Sequence, residues 1–79
     1  MTIDDIRKLI QVEILNEPDF SIADDQDLLL SEILNSLSVT LLIARLEDEC
    51  KVQIPPEDVT LENFSSLQNI EAYLRSLQP

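Results

Sequence analysis

The sequence predicts an all-α fold, a small four-helix bundle, and three observations carry that prediction. There is no glycine in the chain, whereas most hairpin turns depend on glycine's access to positive φ. Apolar residues recur at intervals of three and four, the spacing of one helix face. Aromatics are only 4% of a chain that is 44% hydrophobic, so a disordered chain is excluded and the core is aliphatic, built from Leu, Ile and Val. The length, 79 residues, suits a single domain spanning 1–79.

The first helix is predicted over about 3–15. Thr2 and Asp5 make a capping-box pair at its start, and Ile3, Ile6, Leu9/Ile10 and Val12/Ile14 form its stripe. Asn16-Glu17-Pro18 ends it, because the residue before proline avoids the helical region. Residues 16–35 are then a long connection. Phe20, Ile22, Leu28, Leu29, Ile33 and Leu34 are expected to pin it to the core, with a short helical turn near 27–33.

A second helix is expected over 36–50, with Asn35 as its N-cap. Its core stripe is Val39, Leu42, Ile43, Leu46 and Cys50. Leu37, Leu41 and Ala44 fall on nearly the opposite side. Such a second stripe reads either as a docking surface or as a helix packed on both sides. Glu47, Asp48 and Glu49 crowd the last turn, where acids oppose the helix dipole, so a recognition role is a reasonable reading for them.

Lys51–Pro55 reads as extended, as the Pro55-Pro56 pair requires. Pro56–Val59 is a short third helix with proline in its first turn, and 60–64 is a further turn or bend. Ser65-x-x-Gln68 is a capping-box pattern for the last helix. Leu67, Ile70, Tyr73/Leu74 and Leu77 form that helix's stripe, and Arg75 suits its C-terminal end. The bundle thus has three main helices, a short third one, and a long loop between the first and second.

Charge narrows the function. Sixteen acids face five bases, a net charge of −11. Nucleic acid and anionic membrane surfaces are therefore not expected as partners. Partners should carry basic patches. The acidic start Met1–Asp5 lacks a signal-peptide profile, so a cytoplasmic location is expected, and a monomer is expected of so charged a domain. Without glycine there is no P-loop or Rossmann fingerprint. Asp24, Asp25 and Asp27 lack the spacing of a calcium loop, so no metal site is expected. The lone cysteine, Cys50, reads as a small buried apolar side chain.

Ser36 is the residue that carries chemistry. A serine nucleophile needs a base, and the chain has no histidine. An enzyme is not expected. A serine at a helix N-terminus is instead suited to being modified, because the dipole and free N–H groups there favour an attached phosphodiester.

The stretch Asp27-Leu28-Leu29-Leu30-Ser31-Glu32-Ile33-Leu34-Asn35-Ser36-Leu37 resembles the serine-bearing segment of acyl carrier proteins, which typically reads Asp-Ser-Leu. Leu46–Pro55 is similar to that family's acidic helix end and extended segment, and 60–70 to the approach to its final helix. The resemblance implies 4′-phosphopantetheine carried covalently on Ser36, flanked by Asn35 and Leu37, and transferred from coenzyme A by a phosphopantetheinyl transferase. It implies an acyl or aminoacyl group held as a thioester and shuttled between biosynthetic enzymes: an activating ligase and downstream transferases with basic docking patches. It implies partner contacts at Leu37, Leu41, Ala44, Glu47 and Asp48. Asn35 stands where the family usually has an acid, and Glu32 where many relatives have glycine. These departures point to a specialised, free-standing carrier. The alternative is an unmodified acidic helical adaptor that binds a partner through Leu37 and Leu41.

Overall fold

A computed structural model describes residues 1–78, and every regular element among them is helical. Helix α1 covers Ile3–Lys8 and runs directly into a stretch of wide helical turns, Leu9–Ile14. Helix α2 covers Ser36–Cys50, α3 covers Leu61–Phe64 and α4 covers Leu67–Leu77, with a single 3₁₀ turn at Pro56–Asp58. The molecule measures 33 × 21 × 21 Å.

The capping box at the start of α1 is complete. Asp5 N–H donates to Thr2 Oγ1 (3.1 Å) and Thr2 N–H donates to Asp5 Oδ2 (3.0 Å). The Thr2 N–H bond first, and then the Thr2 hydroxyl beside the carboxylate, hold the Asp5 carboxyl below its usual pKa. Further along, the regular spacing fails. Leu15 N–H bonds Ile10 C=O (2.8 Å) and Glu17 N–H bonds Gln11 C=O (2.7 Å). Bonds reaching five and six residues back widen the turn and rotate the side chains away from a 3.6-residue stripe. Ile6, Leu9 and Ile10 are buried as predicted, but Val12 is turned out and is 50% exposed. Asn16, at φ 55°, then reverses the chain in the left-handed region that asparagine tolerates.

The connection from 16 to 35 is fastened at both ends. Arg7 Nε donates to Ile22 C=O (2.9 Å), and its guanidinium pairs with Asp4 and Asp24. Gln11 Nε2 donates to Phe20 C=O (2.5 Å). Leu28 N–H bonds Ser65 C=O (2.7 Å) and Gln68 N–H bonds Asp24 C=O (3.1 Å). Ile22, Leu28 and Leu34 are buried, with Leu29 and Ile33 packed against them. Phe20 lies on the surface, so its expected place in the core is not taken. Nor does the expected helical turn near 27–33 form. Asp27 Oδ1 accepts the N–H groups of Leu29 (2.9 Å) and Leu30 (2.8 Å), which starts a turn, but Glu32 at φ 63° breaks it before a helix can propagate.

In α2, Leu42 and Leu46 are buried, and Val39, Ile43 and Cys50 pack against the core at partial exposure. Lys51 ends the helix in the left-handed conformation, at φ 56°. Residues 60–64 are more regular than a bend, since Thr60 Oγ1 caps α3 by accepting Asn63 N–H (3.2 Å). The cap of α4 is Ser66, one residue later than the sequence pattern indicates. Ser66 Oγ accepts Asn69 N–H (3.2 Å), while Ser65 is occupied by Asn69 Nδ2 (2.7 Å) and by its bond to Leu28. Leu67, Ile70, Tyr73 and Leu74 are buried as the stripe predicts.

Tyr73 ties the last helix to the 3₁₀ turn by donating from its hydroxyl to Asp58 Oδ2 (2.6 Å). Burial first, and then the Asp58 bond, push the phenol up to about 12. An unfolded tyrosine ionises near 10. The native state therefore prefers the protonated phenol, and this contribution is complete below pH 10 and is lost as pH rises through about 12. Tyr73 is the chain's single tyrosine. Tyrosinate absorbance should thus rise late and together with unfolding, and Tyr73→Phe should remove that part of the alkaline stability loss. A phenol titrating near 10 in the folded protein would refute this.

Candidate functional site at the start of helix α2

Leu34 is buried and anchors the end of the long loop. Asn35 follows in an extended conformation (φ −99°, ψ −176°), and its Oδ1 accepts Ser38 N–H at 2.9 Å. Asparagine thus does the capping, and the hydroxyl of Ser36 is left out of it. Ser36 is exposed, the first residue of a 15-residue helix. Its carbonyl accepts Thr40 Oγ1 at 3.0 Å. The positive end of the dipole and unpaired N–H groups sit beside its Oγ, the setting that favours an anionic substituent.

A groove of about 780 Å³ opens next to Ser36. Val39 and Ile43 of α2 form one wall, and Ile54, Val59, Leu61 and Phe64 form much of the other. The 52–54 segment that closes it is held by Glu47, whose Oε2 accepts Ile54 N–H at 2.8 Å. Glu47 is half-buried and committed to this internal bond. Asp48 is exposed, and Glu49 pairs with Arg45 (3.5 Å), which also binds Glu13 (2.5 Å).

The second stripe of α2 faces solvent. Leu37 is 69% and Leu41 48% exposed, and Ala44 is exposed between them and the acidic end. A helix packed on both sides is therefore not what the sequence builds. Leu37, Leu41, Ala44 and Asp48 share the exposed side of α2, whereas Ser36 is exposed at its first turn beside the groove and Glu47 bonds the segment that closes that groove. Two further exposed leucines, Leu30 and Leu61, escaped the sequence reading. The run Leu28-Leu29-Leu30 held a signal for the first, since three consecutive side chains in a loop cannot all turn inward. Leu41→Glu should leave the melting temperature nearly unchanged, within about 0.5 kcal/mol of stability. A large loss in a thermal melt would place Leu41 in the core.

A family model described as "Phosphopantetheine attachment site" matches residues 4–74. The chain belongs to that family. It is a phosphopantetheine carrier domain of acyl-carrier type, and 4′-phosphopantetheine is the group that this family holds covalently. The residues present fit that group: a serine hydroxyl free of capping, a helix N-terminus for the phosphodiester, and an adjoining groove with an apolar lining. Carrier domains of this family are modified by other enzymes and are not themselves catalysts. No curated protein matches the chain. Among solved structures, a chain from "Crystal structure of FAD-dependent dehydrogenase" superposes with a TM-score of 0.79 at 28% identity, over 87% of this carrier domain and 97% of that chain. No helix among the described residues is long and apolar enough to cross a membrane.

Proposed function

We propose that this domain holds an acyl or aminoacyl group on a 4′-phosphopantetheine arm attached to Ser36 and delivers it to successive biosynthetic enzymes. The observation that carries the reading is Ser36 itself, exposed at the positive end of α2 while Asn35 performs the capping. On this reading Ser36 Oγ displaces the adenosine bisphosphate portion of coenzyme A at phosphorus. A new O–P bond forms as the old one breaks. The serine proton passes to a base on the transferase, because this chain has no histidine to take it. The arm's thiol supplies the thioester chemistry. Asn35 and Leu37 flank Ser36 at the attachment point.

Partners engage Leu37, Leu41, Ala44 and Asp48, with basic residues meeting the acidic end of α2. They comprise the transferase, an acyl- or aminoacyl-activating ligase and downstream transferases. The matched chain in the dehydrogenase structure is covered almost end to end by this small domain. It is therefore of carrier size, too small to be a flavin enzyme. This supports a flavin-dependent oxidation of the tethered group as one step the carrier serves. A monomer in the cytoplasm suits so acidic a domain, whose like charges oppose self-association.

The test is mass spectrometry after incubation with coenzyme A and a broad-specificity phosphopantetheinyl transferase. A gain of one phosphopantetheine group is expected. No gain would favour the adaptor, to which the exposed Leu37 and Leu41 would belong without any arm.

A further inference from the structure

The groove beside Ser36 is lined by leucine, isoleucine, valine, proline, phenylalanine and a few uncharged polar residues, with one exception. Glu32 is its single ionisable group. The exception is costly to the backbone. Glu32 lies at φ 63°, in the left-handed region, where a residue with a Cβ is disfavoured and glycine is not. The side chain gives the fold nothing visible in return. It is exposed, and none of the ion pairs among the described residues includes it. From Ile33 to Ala44 no other side chain carries charge.

The geometry points to Glu32 as a cargo filter: its carboxylate at the groove selects a tethered acyl group that bears a cationic amine over a neutral one, and rejects one that bears a carboxylate. This rests on the carrier reading above and names the class of cargo for it. Glu32 is as exposed as most acids of the chain; what distinguishes it is its place, since it is the charged residue that lines the groove beside Ser36 and so faces a group tethered there at short range. The overall charge of −11 acts in the same direction. The proposal therefore concerns only the part of the preference that disappears with Glu32.

Three cargoes of matched length separate these contributions. The protein is loaded by the transferase from β-alanyl-, butyryl- and malonyl-coenzyme A, loading is confirmed by mass, and melting temperatures are compared at low salt. The β-alanyl form is expected to melt about 1–4 °C above the butyryl form, the range of a partly exposed ion pair in a domain this size, with the malonyl form lowest. Glu32→Gln should collapse these differences. Glu32→Gly should do so too, while raising the melting temperature of the unloaded protein by relieving the backbone. Equal melting temperatures in the wild type, or an order that survives both substitutions, would overturn the filter while leaving the carrier role intact. A protein that gains no mass from any of the three would overturn the carrier role and the filter with it.

Discussion

Phe64→Ala is expected to leave the domain largely unfolded or on the edge of unfolding. Phe64 has no exposed surface and is among the largest fully buried side chains. Its ring lies 5.6 Å from that of Tyr73, tilted by 55°, and it also forms part of the groove wall. Truncating a buried phenylalanine costs about 3–5 kcal/mol, the lost burial plus the cavity left behind. A domain of this length has a total stability of about 4–12 kcal/mol, so the single substitution removes a large part of it. Urea unfolding followed by circular dichroism should show the midpoint collapse. A midpoint close to that of the wild type would mean that the core is not organised around this ring.

Ser36→Ala is expected to abolish the mass gain with coenzyme A and transferase while leaving the melting temperature almost unchanged. The two halves of this result have separate causes. The Oγ is the proposed attachment atom, and alanine offers none. Stability is spared because the side-chain bond that starts α2 belongs to Asn35, which accepts Ser38 N–H. Asn35→Ala should show the reverse pattern. Loss of that cap costs about 1 kcal/mol, visible in a melt, while the serine remains to be modified. A Ser36→Ala protein that melts far below the wild type would show that the hydroxyl is structural.

Much of this was legible in the sequence because helix signals are local. The bounds of α2, its asparagine cap, the existence of its second stripe and the stripe of α4 all follow from spacing and from one or two residues at each end, whereas that the second stripe faces solvent needed the fold. The failures share a different cause. Val12 points outward because the turns of Leu9–Ile14 widen, and nothing in the 3.6-residue pattern announces that change. The cap of α4 moved to Ser66 because Ser65 is held by the distant Leu28, a tertiary bond that residue spacing cannot reveal. The bond from Ile54 N–H to Glu47 Oε2, seven residues apart in the chain, is likewise a tertiary contact that spacing does not announce. The site divides in the same way. The serine and its cap could be read along the chain, while the groove, made by residues from Leu29 to Phe64, needed the fold.

Whether Ser36 is the tether is decided by locating the attached group. The modified protein is cleaved into peptides and fragmented in the mass spectrometer, so that the hydroxyls of Ser31, Ser36 and Ser38 are distinguished. The whole phosphopantetheine mass is expected on Ser36, and none on Ser31 or Ser38. An adduct on Ser31 or Ser38, or a chain that stays unmodified under conditions that convert other carriers, would contradict it.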